Sequence, residues 1–405
     1  MPTIILNKKV LENLTGKKLS LEELKDRISY LGTDLESIEG DKITVEVFPN
    51  RPDMLSEQGF ARALSSFIGI KTGLRRYNVK KSDYIVKIDS SVRKIRPYTA
   101  CAIVKNLNFN DEKIKEIIQI QEKLHITYGR NRKKAAIGIY PFEKIKPPIY
   151  YKALQKNKIK FKPLESRTEM TALQILSNHP VGKEYGHLLD NLDLFPVFID
   201  ANNKILSMPP IINSYDTGKI TENTKDVFIE CSGFDFDTLK TLLNIIVITL
   251  ADMGGDIYSM ELFYSGKKEI TPNLTPTMMK IDINYVNKLL GLNLKEKDVK
   301  KLLQRMGFEY KNKKALIPAY RSDILHPIDL VEDIAIAYGY EKFDKEIPNI
   351  STIARENSFE PFKRKIQEIL IGLGLLETSS FTIINKELLD KIKMKGNIVE
   401  LKNPL

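Results

Sequence analysis

Asp329, Glu332 and Asp333 stand at i, i+3 and i+4 in the segment RSDILHPIDLVEDIAIAYGY, a spacing that predicts three carboxylates on one face of a helix. Like charges so placed repel, and a hard cation is the chemistry that would keep them together. Asp323, just ahead of the helix, could complete the shell. Magnesium takes one or two carboxylates, keeps several waters and shares its ligands with phosphates or a partner, which suits half a site rather than a closed cage. The same acids also read as solvent-facing helix charges, or as anions drawn to a helix N-terminus by its dipole.

The chain carries its own control for these readings, because its two ends repeat one pattern. Leu21, Leu24, Ile28 and Leu31 run at helical spacing between Gly16 and Gly32, and Val299, Leu302 and Leu303 run between Gly291 and Gly307. Each copy continues into a strand-like run, ITVEVF at 43–48 and ALIP at 315–318, and then into Arg-x-Asp, Arg51 with Asp53 and Arg321 with Asp323. At the offsets of the three helix acids the first copy has Gly59, Arg62 and Ala63. Arg-x-Asp therefore reads as shared scaffold, and the added carboxylates as the second copy's own task.

Between the copies, residues 85–265 hold short strand candidates (YIVKI, ACAIVK, AAIGIY, FPVFID, KILSM, DVFIEC) and helical stretches at 111–125, 169–177 and 235–253. The fold class is α+β and multidomain: small related modules at 1–80 and 270–345 flank a larger α+β domain at 85–265. EIPNIS reads as a linker into residues 346–405, with a helix at 360–373 and a strand at ETSSFTII. About sixty residues without a closing element bury too little surface to stand alone, so truncation or a split gene is expected there.

With 42% hydrophobic and 28% charged residues the composition is that of a globular chain, and no apolar run approaches the ~20 residues of a membrane helix. The opening MPTIILNKKVLENL has no signal-peptide pattern, so a cytoplasmic protein is expected. Cys101 and Cys231 lack CxxC spacing and read as small buried residues. The net charge of +11 favours a polyanionic partner, although the runs 130–134 and 156–162 read equally well as solvated loops. No HExxH, GxSxG or P-loop pattern is present, and His125, His179, His187 and His326 read as structural.

RSDILHPIDLVEDIAIAYGYEKF and VFPNRPDMLSEQGFARALSSFIGI resemble modules of the archaeal and eukaryotic type of phenylalanyl-tRNA synthetase beta subunit, here truncated at its C-terminal end. The resemblance implies magnesium shared with an alpha subunit at Asp323, Asp329, Glu332 and Asp333. It implies a dimer of alpha-beta heterodimers that binds tRNA(Phe), uses ATP as substrate and charges the tRNA at a site on alpha. Residues 346–405 would begin a noncatalytic class II synthetase-like domain. GRNRKKAAIGIYPFEKIKPPIYY, ILSNHPVGKEYGHLL, LSMPPIINSYDTGKIT and KDVFIECSGFDFDTLK are similar to the family's editing domain, which implies hydrolysis of mischarged tyrosyl-tRNA(Phe). An apolar synthetic pocket rejects an added hydroxyl only about 10²-fold, so a second sieve is physically required. The resemblance places the editing pocket at Met208, Asn213, Ser214, Glu230 and Ser232; on a strand, Glu230 and Ser232 would share a face. A positioned water would attack the ester, with Glu230 orienting water or substrate, and no nucleophile is assigned. Two other readings stand beside this one, a free-standing deacylase built on the central domain alone and a noncatalytic tRNA-binding module.

Overall fold

Gly16, Gly32, Gly291 and Gly307 all adopt positive φ, between 67° and 91°, a region that side chains with a Cβ rarely enter. The repeat in the sequence is therefore a repeat of helix endings. The helix Lys8–Thr15 stops at Gly16, whose N–H bonds Glu12 O, and Ile283–Leu290 stops at Gly291, whose N–H bonds Asn287 O. A second helix follows in each copy, Leu21–Tyr30 and Glu296–Arg305. Ser20 opens the first of these with a capping box: its Oγ accepts from Glu23 N at 3.2 Å, and Glu23 Oε2 accepts from Ser20 N at 3.1 Å. Leu24 and Ile28, four residues apart, turn the same face inward, and full burial of each contributes roughly 1.5–3 kcal/mol.

Each copy lays its helices on a three-stranded antiparallel sheet. In the first, Lys42–Glu46 lies between Thr3–Asn7 and Asp34–Glu39; in the second, Lys314–Ile317 lies between Thr277–Lys280 and Glu309–Lys311. A closing helix completes each, Glu57–Phe67 and Pro327–Tyr338. Both modules open with a strand and a helix that precede the helix, strands and helix expected from sequence. The computed structural model describes residues 2–347, 354–379, 381–394 and 396–401, in units 1–343 and 344–405.

The central domain is built on a five-stranded and a seven-stranded sheet. Val227–Gly233 runs through the middle of the five-stranded sheet, antiparallel to both Tyr98–Lys105 and Ala135–Pro141. Its side chains alternate. Val227, Ile229 and Cys231 join the core that includes the helix Phe236–Asp252, whereas Phe228 packs on the opposite face with Tyr140, Tyr151 and Phe198. Glu230 and Ser232 share the parity of Phe228 and so point away from that helix. Val79–Lys80 and Lys267–Thr271, outside the expected 85–265, also pair into the central sheets, and a strand of two residues leaves no periodicity to read. Cys101 and Cys231 are wholly buried, and burial pushes both thiols up.

In the second unit a helix spans Phe359–Gly372 and another Lys386–Lys391. The described residues of ETSSFTII carry no strand: sheet hydrogen bonds need a neighbouring extended segment, and the described residues of this unit form none. Most of the expected linker EIPNIS, residues 348–351, lies outside the described residues.

Candidate functional site

Glu230 sits in register with Cys101 on one neighbouring strand and Gly138 on the other, and is 2% exposed. Its Oε1 lies 3.1 Å from Tyr140 Oη, which also lies 3.2 Å from Asn213 Oδ1. Burial pushes the Glu230 carboxyl up to about 8, against the hydrogen bonds of Tyr140 and Ser232 and the charge of Arg96. Tyr140 Oη faces both acceptors, and its one proton serves one of them at a time. Glu230 Oε2 is buried without a partner. Gly138 makes room for the arrangement, since a Cβ there would collide with both Tyr140 Oη and Glu230 Oε1.

Ser232, two residues on, is held by Arg96, whose Nε reaches Ser232 Oγ at 3.2 Å and whose Nη2 reaches Ser232 O at 2.6 Å. Asn213 joins this buried cluster to a cavity of about 450 Å³, whose walls include Ile117, Ile118, His125, Arg132 and His179. That volume falls within the usual range for small-molecule pockets. Of the five expected pocket residues, Asn213 and Glu230 thus meet through Tyr140, with Ser232 beside them. Met208 does not reach the cavity: it is fully buried in a core shared with Phe195 and Val197. Ser214 is buried too, and donates its backbone N–H to Leu206 O at 2.7 Å.

Tyr140, Arg96 and Gly138 were not among the expected residues, and only the period-2 pattern of AAIGIY, which aligns Gly138 with Tyr140, hinted at any of them. Arg132 corrects the solvated-loop reading of 130–134. It is 8% exposed, donates to Ile211 O at 2.8 Å and to Glu122 Oε1 at 3.0 Å, and stacks over Tyr185. Burial would raise Glu122, but the His125 hydrogen bond and the Arg132 charge outweigh it and hold the carboxyl at about 2. All four histidines make local contacts: His125 Nε2 accepts from Ile137 N, His179 and His326 cap helices, and His187 Nδ1 meets Glu184 O.

The acidic segment folds differently from its spacing. Arg321 grips Asp323 with Nε and Nη2 at 2.8 and 2.7 Å, and Nη2 also meets Asp333 Oδ2 at 2.7 Å. Asp333 is 4% exposed; burial pushes its carboxyl up while Arg321 pulls it down. Asp329 Oδ2 accepts from Leu325 N and His326 N, both at 2.7 Å, and so caps the helix. Glu332 is exposed beside Tyr340. The expectation of one carboxylate face is therefore corrected: adjacent helical residues diverge by about 100°, and Arg321 claims the inward one. Among the described residues no three His, Cys, Asp or Glu side chains are placed to hold a metal ion. The four acids as folded do not fit a magnesium shell, and no chemistry is routed through one. In the first repeat Arg51 grips Asp53 in the same way, at 2.8 and 2.9 Å.

Three family models divide the chain: the B3/4 domain at residues 82–243, the tRNA synthetase B5 domain at 279–340 and the phenylalanyl tRNA synthetase beta chain CLM domain at 344–405. A sheet-built central domain followed by these modules defines a subunit of an aminoacyl-tRNA synthetase. The phenylalanine--tRNA ligase beta subunit of Thermococcus sibiricus is 40% identical over all of this chain and 74% of its own length. That of Archaeoglobus fulgidus is 40% identical over 98% of this chain and 72% of its own length. The crystal structure of an N-terminal fragment of the phenylalanyl-tRNA synthetase beta-subunit from Pyrococcus horikoshii matches with a TM-score of 0.80 at 41% identity, covering 83% of this chain and 99% of that one. The chain belongs to the family of phenylalanine--tRNA ligase beta subunits.

Proposed function

We propose that this chain partners an alpha subunit, as a dimer of alpha-beta heterodimers in the cytoplasm, in the ATP-dependent charging of tRNA(Phe), and that its central domain hydrolyses tyrosyl-tRNA(Phe). The observation that carries the editing reading is Glu230 Oε2, buried and unpartnered, in a cluster that Tyr140 and Asn213 link to a cavity of about 450 Å³. A tyrosine hydroxyl would satisfy such a group, whereas phenylalanine would leave it unpaired; sites of this kind discriminate by about 10⁴ or more. Water adds to the ester carbonyl and the tRNA ribose oxygen leaves. Glu230 carries a proton at neutral pH, so its part is to bind and orient rather than to take the water's proton. The net charge of +11 favours the tRNA backbone.

The test is to assay the chain alone and with a candidate alpha subunit for tyrosyl-tRNA(Phe) hydrolysis and for phenylalanyl-tRNA formation. Charging only in the mixture is expected, with Glu230→Leu, which removes both oxygens at similar size, lowering hydrolysis roughly 10²-fold and leaving charging intact. Hydrolysis with no association to alpha would favour the free-standing deacylase. Binding of tRNA with neither reaction would favour the noncatalytic module.

A further inference from the structure

The two Arg-x-Asp motifs, far apart in sequence, come together where the repeat modules meet. A small cavity of about 20 Å³ lies there, lined by four guanidinium groups, Arg51, Arg62, Arg75 and Arg321, and by one carboxylate, Asp53. Two of these arginines have work left undone. Arg62 is 3% exposed; its Nη1 meets Asp252 Oδ2 at 2.5 Å and its Nη2 reaches Asp53 O at 3.4 Å, but its Nε has no partner. Arg321 is 7% exposed; its Nε and Nη2 hold Asp323 and Asp333, but its Nη1 has no partner.

The unmatched groups at this cavity are thus both N–H donors on cations. Among the described residues, the buried acceptors that lack a partner, such as Gln58 Oε1 and Asn244 Oδ1, do not line it. Both Asp53 oxygens are already engaged by Arg51. A water molecule would also satisfy the two donors, turning its own hydrogens toward the hydroxyls of Ser66 or Tyr320, and is the occupant that the bromide measurement below separates from an ion. An occupant that only accepts matches both unmet N–H groups. The volume, about that of one or two water-sized probes, admits a single small ion and excludes phosphate or a carboxylate ligand.

We propose that the seam between the two repeat modules binds one monovalent anion of chloride size, held by Arg62 Nε and Arg321 Nη1. The ion bonds one guanidinium from each module and so ties the first repeat to the second. Because the unfolded chain has no such seam, binding stabilises the folded state in a saturable way.

Crystals grown in sodium bromide, measured at the bromine edge, are expected to show an anomalous peak within hydrogen-bonding reach of both nitrogens. In solution, replacing sodium gluconate by sodium chloride at constant ionic strength is expected to raise the melting temperature by roughly 2–4 °C along a saturating curve, with bromide acting alike. Replacing Arg62 or Arg321 would strand buried aspartates, so the variant of choice is the half-buried Arg75→Gln, which should raise the chloride needed for half the effect several-fold. No bromide peak at the seam, identical melting in chloride and gluconate, or an unchanged midpoint in Arg75→Gln would each overturn the proposal, the first pointing to a water in its place.

Discussion

Glu230→Gln removes a single titration from the centre of the protein and keeps the side chain's size. In the folded chain Glu230 holds its proton up to about 8, whereas an ordinary glutamate releases it near 4.5. Across that window the folded state binds a proton that the unfolded state has given up, so each step up in pH favours unfolding. A gap of about 3.5 pH, at ~1.4 kcal/mol each, amounts to about 5 kcal/mol lost by pH 8, about 3 kcal/mol of it by pH 7, with no further change above. Glu116, which burial and Glu57 also push up to about 8, titrates in the same window but is present in both proteins and cancels from their difference. Denaturant titrations of wild type and Glu230→Gln at intervals from pH 5 to 9 measure that difference directly. Wild type should lose stability relative to the variant up to pH 8 and then run parallel. Parallel profiles over the whole range would show that the buried carboxyl is ionised at neutral pH and would remove the physical basis for its role as a neutral group that binds and orients.

Arg321→Met leaves Asp323 and Asp333 buried without their partner and is expected to cost about 3–5 kcal/mol in denaturant unfolding. Gly138→Ala forces Tyr140 or Glu230 aside, so it should lower stability by about 1–3 kcal/mol and cut tyrosyl-ester hydrolysis while phenylalanine charging persists. Gly291→Ala, at φ 67° with open space around it, meets only the conformational cost of a left-handed residue, about 1 kcal/mol by thermal melting.

Local patterns in the sequence translated faithfully into local structure. The helix expected at 111–125 runs Asp111–Ile126, that at 235–253 runs Phe236–Asp252, and that at 360–373 runs Phe359–Gly372. Their apolar spacing and caps lie within a few residues of one another and need no tertiary information. The paired glycines were visible for the same reason, because a helix ending is a local event. The pairing of Glu230 with Ser232 was equally readable, as strand alternation fixes it.

What escaped was set by partners distant in the chain. Tyr140 reaches Glu230 across 90 residues, and Arg96 reaches Ser232 across 136. The burial of Arg132 depends on the carbonyls of Pro210 and Ile211, so nothing in its basic neighbourhood distinguished it from Arg130. At the acidic segment, helical spacing identified which residues share a helix but not which way the helix is rotated. Arg321 decides that rotation by drawing Asp333 inward and leaving Glu332 outside. The opening strands of the two modules, five and four residues long, are too short to carry a pattern of their own.

The joining of the two repeats also sets a clock on synthesis. Arg305 of the second module bonds Phe67 O of the first, 238 positions away in sequence. At ~5–20 residues per second, the first module leaves the ribosome roughly 10–50 s before its mate exists. Through that interval its Arg51–Asp53 pair and the helix Glu57–Phe67 present a face shaped for a module not yet made. The intervening domain must fold without obstructing that face, and a copy of the second module from a neighbouring chain would fit it equally well.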